Sequence, residues 1–403
     1  MSYDLKHYYE GIIRIPLELP TISNSNSDSD FSSDSDNESN NNGKTNNKSE
    51  KTKKHFNYYY TDSNKKVEDS KEISRIESIG IPPNWDNVWI SRDPNTEIIA
   101  IGSDSKGKKQ YIYSQEHNKR VQKEKYERMK EFVRKMPELD KHLSKIIKQE
   151  TKKGNKTATR ERIIALMLKL IQKYHFRVGK EEYARLNGSY GICSLRRKHF
   201  NIEKNNKTKE NNETKKENNE TKKENKEKIT IEFLSKSKQV ANFVIDDPFF
   251  VKELKLLLNL PFDSNENMFQ CTEDEGSTYK KITYKDLNAF LQSIIGKQFT
   301  IKDFRTYGSN ITFVTALLIA TLKNPPTSNK KIEENIKEAF RLSAETLKHT
   351  KAISKKSYVM NDIVNLYRNN TQYFVSLAEN PKMSSRESLL SILKIISKSK
   401  SSN

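Results

Sequence analysis

The chain has 403 residues, of which 33% are hydrophobic and 31% are charged. A globular domain of ordinary composition is more apolar than this, so long solvated segments must accompany the folded parts. Lys and Arg number 73 against 53 Asp and Glu, and the net charge of +20 favours a polyanion such as nucleic acid as the partner. The two cysteines, Cys193 and Cys271, exclude a disulfide scaffold and a cysteine-rich zinc module.

Membrane insertion and secretion are not expected either. The longest apolar run, residues 311–322, is interrupted by three threonines and falls short of the about 18 residues that a membrane span requires. Residues 1–7 lack the features of a signal peptide. We therefore expect an intracellular protein that has no membrane partner.

Residues 1–54 are predicted to form a disordered tail that is first acidic and then basic. Residues 24–42 are nearly all Ser, Asn or Asp and contain no Lys or Arg, whereas residues 44–54 are rich in Lys. Such a segment has almost nothing to bury. Two interpretations stay open, a solvated linker and a phosphorylatable or partner-binding tail, because serines repeatedly precede acidic residues.

The next region, residues 55–120, is predicted to be a small β-rich domain. Short apolar and aromatic runs have the composition of strands, and Pro-, Asn- and Gly-containing turns separate them. These runs are residues 56–60, 88–90, 98–101 and 110–113.

Residues 121–403 are predicted to form a mainly helical domain, which makes the fold class α+β. Apolar residues at helical spacing indicate a first helix, and an almost continuous apolar run indicates a second, buried one. The stripe of the first helix comprises Val121, Tyr126, Met129, Phe132, Val133 and Met136, and the second helix covers residues 163–171. A three-stranded meander follows, over residues 191–202, 229–234 and 240–245. Further helices are predicted over residues 248–258, 284–295, 301–322, 331–347, 357–367 and 385–396.

A low-complexity insertion, residues 204–228, interrupts the meander. It contains no apolar residue and includes a tandem repeat of seven residues, over 210–216 and 217–223. A period of seven is typical of coiled coils, but the positions that would form the seam are polar here. We interpret the segment as an expanded surface loop between two strands, which adds little closure entropy.

Metal-dependent and ATP-dependent chemistry have little support in the sequence. Histidines number seven, and neither a His-Glu-x-x-His motif nor a Gly-x-x-x-x-Gly-Lys-Ser/Thr loop occurs. We therefore expect no metal and no other cofactor. Cleavage of a phosphodiester without a metal requires a nucleophile, fixed cations for the charge of the transition state, and an acid for the departing oxygen.

Four segments contain residues suited to those roles. Arg177 precedes a glycine turn at the end of a buried helix, and Arg305 lies in the first turns of an apolar helix. His349 and Tyr358 are nine residues apart across a helix–turn–helix joint, and Lys236 lies at a hairpin turn. Each residue alone is more often structural, as an ion-pair arginine, a helix-capping histidine, a core-edge tyrosine or a solvated lysine. Only the set points to chemistry.

Taken in order, these segments resemble the type IB DNA topoisomerases, and in particular the compact form found in poxviruses and giant viruses. Residues 101–113 resemble the N-terminal DNA-clamp signature of that family, and residues 81–90 resemble the preceding stretch of its bacterial members. The segments similar to the catalytic domain are residues 176–180, 190–199, 301–308 and 349–358. The resemblance runs from about residue 55 to the C-terminus, except for the insertion.

The resemblance implies a role for each residue of the set. Tyr358 matches the nucleophile that attacks the scissile phosphate and forms a 3′-phosphotyrosyl link. Arg177, Arg305 and His349 match the groups that hold the nonbridging oxygens. Lys236 matches the hairpin lysine that, with Arg177, helps to expel the 5′ oxygen. The implied fold is the catalytic fold shared by tyrosine recombinases and type IB topoisomerases.

Two departures from the family pattern leave the identity of the general acid and the base preference open. The hairpin lysine follows Phe-Leu-Ser where the family usually has Phe-x-Gly, so the acid is either Lys236 or Lys238. Lys180 and Tyr183 match a helix that reads the major groove, but Glu182 stands where the poxvirus form tends to have Lys, which leaves the base preference open. The other predicted DNA contacts are Lys106, Lys108, Lys109, Tyr111, Tyr113 and Lys302, and the alternative for the first five is a solvated basic hairpin.

The implied activity is relaxation of supercoiled duplex DNA by transient single-strand cleavage, strand rotation and religation, without ATP or metal. The partner would be double-stranded DNA, the chain would act as a monomer, and its compartment would be the nucleus, a viral factory or the virion. A tyrosine site-specific recombinase is the nearest alternative, but recombinases usually have His-x-x-Arg where this chain has Lys302-Asp-Phe-Arg305. A basic DNA-packaging protein is an alternative of another class, which leaves the His349–Tyr358 spacing unexplained.

Overall fold

A computed structural model describes residues 10–17, 55–152, 159–203, 227–261, 263–273 and 278–401. The chain divides into two compact units, Met1–Glu124 and Lys125–Asn403. The first contains a five-stranded antiparallel sheet, and the second is mainly helical with a three-stranded antiparallel sheet. The predicted α+β class is therefore confirmed. Among the described helices, none is long and apolar enough to cross a membrane.

The first unit is an antiparallel sheet covered by one helix. Its strands lie in the order β2-β1-β3-β4-β5, and helix α1 comprises Ser70–Ser78. The core beneath the helix is formed by Ile12, Ile76, Val88, Ile90 and Ala100 together with Val67. The strands are β1 (Gly11–Pro16), β2 (Phe56–Tyr60), β3 (Asp86–Ser91), β4 (Ile98–Ser103) and β5 (Lys109–Tyr113).

Strand β1 corrects one sequence-based prediction. The prediction that residues 1–54 form a disordered tail is wrong for Gly11–Pro16, which pairs with both β2 and β3. Ile12 in this strand is fully buried, and a Cβ on Gly11 would collide with the indole ring of Trp89, so the sheet packs tightly here. A six-residue strand with three isoleucines is hidden when composition is averaged over 54 residues, and Arg14 in its middle weakens the apolar signal further. The acidic and basic stretches, within residues 18–54, lie outside the described residues.

Helix α2 (Gln115–Lys152) begins in the first unit and continues into the second. The predicted apolar stripe is buried from Tyr126 to Met136, but Val121 is 42% exposed. Phe132 makes edge-on contacts with Phe299, Phe304 and Tyr307, at centroid distances of 5.5, 5.2 and 5.9 Å. The stripe of α2 therefore packs against the start of the helix that follows Phe299.

The helices of the second unit largely follow the predicted ones. They are α3 (Arg160–Tyr174), α4 (Glu181–Asn187), α5 (Pro248–Leu258), α6 (Tyr284–Ile295), α7 (Ile301–Lys323), α8 (Asn329–Thr346), α9 (Lys351–Ile353), α10 (Asn361–Asn369), α11 (Thr371–Ala378) and α12 (Ser385–Ser401). Thr300 and Asp303 form a capping box at the start of α7, in which the carboxylate of Asp303 accepts from the N–H and the hydroxyl of Thr300 at 2.8 and 3.0 Å.

The meander comprises β6 (Phe200–Glu203), β7 (Lys228–Leu234) and β8 (Val240–Ile245). The first predicted strand, residues 191–202, is mostly wrong, since Ile192–Ser194 and Arg197–His199 form single tight helical turns. The insertion was predicted to extend to residue 228, but Lys228 already pairs with Glu203 in the sheet. Residues 204–226 lie outside the described ranges. A second hairpin, β9 (Gln270–Glu273) and β10 (Thr278–Lys281), was not predicted.

Most residues of helix α7 are buried in the second unit, and several of these buried residues are polar. Arg305, Ser309 and Asn310 are all 6% exposed or less. Buried polar side chains are retained where partners satisfy them or where a ligand requires them. The first half of α7 is therefore the place to look for a functional site.

Candidate active site

Arg177, Arg305, His349 and Tyr358 come together although they lie on separate segments of the chain. The guanidinium carbon of Arg305 is 5.6 Å from the ring centroid of Tyr358, and the rings of His349 and Tyr358 are 5.0 Å apart. Nη2 of Arg177 lies 3.4 Å from the carbonyl oxygen of Lys348, next to His349. The side chain of Tyr358 is half-buried. Its phenol lies beside the imidazole of His349 and the guanidinium of Arg305, and the guanidinium of Arg177 lies close to His349.

Arg305 is fixed by the main chain of two other segments. Its Nη1 donates to the carbonyl oxygen of His175, and its Nη2 donates to that of Leu347 at 2.7 Å. Its Nε is buried and has no partner in the described part of the chain. Burial, and then the charge of Arg177, lower the pKa of Arg305, but a guanidinium stays protonated in proteins. Arg305 thus links the end of α3 to the turn before His349 while retaining donors that an anion could use.

The segment that carries Arg177 owes its path to two glycines. Gly179 has a φ of +70°, and a Cβ on it would lie 2.5 Å from the nitrogen of Gly191, so the two backbones pack in direct contact. The carbonyl oxygen of Arg177 accepts from the N–H of Ile192 at 2.8 Å. The main chain of Arg177 is therefore held firmly, while its guanidinium is half-exposed with one long contact. Such a fork is suited to the oxygens of a phosphate.

The imidazole of His349 is half-buried, and both of its ring nitrogens are shielded from solvent. Neither Nδ1 nor Nε2 has a hydrogen-bond partner among the described residues. Burial, followed by the charges of Arg305 and Arg177, lowers the pKa of His349 to about 4. At neutral pH the ring is therefore neutral and can donate one N–H without adding a third positive charge. Two guanidinium groups and one imidazole N–H close to a phenol form a cradle that can hold an anion near the phenolic oxygen.

Tyr358 ends one turn of π-helix, Ser354–Tyr358. The helix predicted over residues 357–367 begins instead at Asn361, so Tyr358 belongs to a separate π-helical turn and the prediction is wrong for Val359 and Met360. The reason is local. Asn310, which is fully buried in α7, donates from Nδ2 to the carbonyl oxygen of Tyr358 at 3.0 Å and accepts at Oδ1 from the N–H of Met360 at 2.9 Å. These two bonds hold the chain extended after Tyr358.

Sequence reasoning missed Asn310. The signal was present, because an asparagine in the middle of a long apolar helix needs a partner when it is buried. The partner, the main chain around Tyr358, lies 48 residues further along the chain. It could therefore not be named from spacing.

Lys236 lies on the turn between β7 and β8, as predicted, and its side chain is exposed. It has no hydrogen bond or ion pair within the described residues, and it is not drawn into the cluster around Tyr358. The hairpin is nevertheless tied to the Arg177 side of the site, since the N–H of Tyr190 donates to the carbonyl oxygen of Leu234 at 2.7 Å. Lys238 is equally exposed, so the choice between the two lysines stays a prediction.

The predicted DNA contacts of the second unit are accessible. Lys180 is the exposed residue that precedes α4, and Tyr183 within that helix is 47% exposed. Lys302 is exposed in the first turn of α7, three residues before Arg305. That these three residues contact DNA remains a prediction.

In the first unit, the turn between β4 and β5 presents Lys106, Lys108 and Lys109, all exposed. Asp104 shapes this turn by accepting at Oδ1 from the N–H groups of Lys106 and Lys108, both at 3.0 Å. Tyr111 and Tyr113 share the exposed face of β5, with ring centroids 6.1 Å apart. The five residues thus form one basic and aromatic surface, whose binding role stays a prediction.

Comparison with known proteins decides the family. A model of the catalytic core of eukaryotic DNA topoisomerase I matches residues 112–380, and a model of the N-terminal domain of bacterial DNA topoisomerase IB matches residues 55–104. DNA topoisomerase 1B of Acanthamoeba polyphaga mimivirus is 38% identical over 375 residues, which is 93% of this chain and 93% of that protein. The chain belongs to the type IB DNA topoisomerases. This membership confirms the resemblance and does not favour the recombinase or packaging alternatives.

Poxvirus type IB topoisomerases are more distant relatives. DNA topoisomerase 1B of Vaccinia virus (strain Copenhagen) is 25% identical over 309 residues, covering 75% of this chain and 83% of the relative. DNA topoisomerase 1 of Rabbit fibroma virus (strain Kasza) is 26% identical over 271 residues, covering 67% and 72%. These relatives are viral, and all carry a name that denotes an isomerase.

Proposed function

We propose that this topoisomerase relaxes supercoiled duplex DNA, as a monomer, by cutting one strand through a covalent bond between Tyr358 and a 3′ phosphate. The observation that carries the proposal is that Arg305 and His349 lie beside the phenol of Tyr358 and that Arg177 lies close to both of them. Every group of this cradle lies in the second unit of a single chain, so no second copy is needed to complete it.

In the cleavage step, the phenolic oxygen of Tyr358 attacks the phosphorus of the scissile phosphodiester. The bond from phosphorus to the 5′ oxygen breaks, the departing oxygen takes a proton from Lys236, and the phenolic proton leaves to solvent. The arginines and His349 donate to the nonbridging oxygens, where negative charge builds up in the transition state. Removal of one donor of this kind typically costs about 10²–10³ in rate.

Religation is the reverse of cleavage, with the 5′ hydroxyl as nucleophile and Tyr358 as leaving group. One phosphodiester has been exchanged for another, so little bond free energy is lost and no ATP is required. Between the two steps the free 5′ end swivels, and the torsional strain of the DNA drives the rotation. The basic and aromatic surface of β4 and β5, together with Lys180, Tyr183 and Lys302, would hold the duplex through its phosphates.

Supercoiled plasmid incubated with the protein in EDTA and without ATP tests the proposal. We expect a ladder of progressively relaxed topoisomers. A linking number that stays unchanged would contradict the proposal and would favour a packaging role. A reaction that requires paired sites would instead favour a recombinase.

A further inference from the structure

A lysine outside the set described above holds the residue next to Tyr358. Nζ of Lys125, in α2, donates to the carbonyl oxygen of Ser357 at 2.8 Å. Ser357 belongs to the π-helical turn that ends at Tyr358. Asn310 fixes the chain on the far side of Tyr358, so this lysine and that asparagine hold the turn from its two sides.

The surroundings of Lys125 contain more positive than negative charge. Its pKa is lowered by burial first, and then by the charges of Lys302 and Arg128, while Asp303 acts in the opposite direction. Asp303 is already engaged, because it accepts from Nε of Arg128 at 3.2 Å and caps α7 through Thr300. Among the described residues, three cations therefore lie near one carboxylate that is already engaged. A half-buried ammonium without its own counter-ion is unfavourable, and an arriving anion would relieve that cost.

The ammonium of Lys125 has three N–H donors, of which one is used by Ser357. The remaining two have no partner among the described residues. Lys302, which shares this cationic cluster, lies in the same first turns of α7 as Arg305. An anion bound by Lys125 and Lys302 would therefore lie beside the helix that carries part of the phosphate cradle.

We propose that Lys125 is a positioning residue that binds a backbone phosphate of DNA and, through the same ammonium, holds the Ser357 carbonyl so that Tyr358 is aligned for attack. The inference rests on the proposed function and names a second phosphate, distinct from the one that reacts. Lys125 does not touch the reacting atoms. Its effect is to make alignment of the nucleophile depend on the presence of DNA.

The test is single-turnover cleavage of a duplex suicide substrate at saturating protein, with Lys125→Met, Lys125→Arg and Lys123→Met compared with the parent. Lys123 is exposed in the same helix, so Lys123→Met removes an equal charge without touching Ser357. We expect Lys125→Met to cleave about 10- to 100-fold more slowly, as for loss of a hydrogen bond from a charged donor. Lys125→Arg should stay within about threefold of the parent, and Lys123→Met should cleave at the parental rate.

The salt dependence of noncovalent binding gives the second readout. If Lys125 neutralises a phosphate, Lys125→Met should lower the slope of log affinity against log salt by about one. A parental cleavage rate in Lys125→Met would overturn the proposal, and so would an unchanged salt slope accompanied by a lower thermal midpoint, which is the signature of a structural role. Single-turnover cleavage by Tyr358→Phe is measured in the same experiment. Cleavage by that variant would mean that the proposed function itself has failed.

Discussion

Asn310 is bound to the main chain of Tyr358, with 3.0 Å between its Nδ2 and the carbonyl oxygen of the tyrosine. The same side chain accepts from the N–H of Met360 at 2.9 Å. Because Asn310 is fully buried and also donates to the carbonyl oxygen of Thr306 one turn earlier in α7, its amide has little freedom to move. Asn310 thus fixes the main chain of Tyr358 to α7, the helix that also carries Arg305.

Asn310→Ala should slow DNA cleavage by about tenfold or more and should also destabilise the protein. The substitution leaves buried backbone groups unpaired, which costs about 1–3 kcal/mol for each group, and it releases the main chain after Tyr358. Single-turnover cleavage and thermal unfolding measure the two effects. Asn335→Ala is the matched control, since Asn335 is also a buried helical asparagine, bound to the hydroxyl of Tyr367 at 2.9 Å. Equal slowing by both variants would contradict a specific link to Tyr358.

Arg305→Ala should reduce the cleavage rate by about 10²–10³, as expected for a lost transition-state donor, with little change in DNA affinity. Arg305→Lys should remain strongly impaired, because one ammonium cannot reproduce the planar fork that reaches both His175 and Leu347. Arg341→Ala is the control for loss of a charge, since Arg341 is paired with Glu338 and Glu345 on α8. Full recovery of activity in Arg305→Lys would show that charge alone is sufficient.

Much of the fold followed from the sequence, because the apolar periodicity of helices such as α5, α6 and α7 is strong and capping residues mark their starts. Strand β1 was missed because its three isoleucines were averaged into a polar tail. The strand predicted near residues 191–202 failed for another reason. The contact between Gly179 and Gly191 bends that segment into turns, and close backbone packing leaves no periodic signal.

The members of the candidate site were named from the family motifs, and the structure brings four of them together. The hydrogen bonds that hold these residues in place could not be predicted from the sequence. The bonds from Arg305 to the carbonyl of His175 and from Lys125 to that of Ser357 span 130 and 232 residues. Every residue has a main-chain carbonyl oxygen, so the residue that provides such an acceptor cannot be recognised from a sequence pattern.

His349 should titrate near pH 4 in the free protein and at a higher pH when DNA is bound. Burial and the two arginines hold its pKa at about 4, below the about 6.5 of an unfolded chain, whereas a phosphate beside the ring favours the protonated form. Between about pH 6.5 and about pH 4 the unfolded chain binds a proton at His349 and the folded protein does not. The free energy of unfolding therefore decreases as pH falls from about 6.5 to about 4. Imidazole ¹³C NMR, assigned with His349→Gln, measures the titration.

His199 serves as the internal reference for that titration. Its pKa is also lowered to about 4, mainly by burial, but its Nδ1 already accepts from the N–H of Arg196 at 2.9 Å. DNA should leave it unchanged. A His349 pKa that DNA does not raise would exclude contact between this ring and a phosphate.

Lys236→Met should slow cleavage of an ordinary phosphodiester by about 10²–10⁴, the range of general acid catalysis. The same variant should cleave at nearly the parental rate when the 5′ oxygen is replaced by sulfur, because a thiolate leaves without a proton. Lys238→Met, altered two residues away on the same turn, should match the parent on both substrates. The opposite result, with Lys238→Met rescued by sulfur, would assign the acid to Lys238.

The central claim is a bond between the phenolic oxygen of Tyr358 and a 3′ phosphate. The most direct measurement traps the complex on a duplex suicide substrate that loses its 5′ fragment, digests the protein and identifies the DNA-linked peptide by mass spectrometry. We predict one adduct, with a 3′ phosphate on Tyr358, and none in Tyr358→Phe. Attachment through a 5′ phosphate, attachment at another residue or an adduct that persists in Tyr358→Phe would contradict the account.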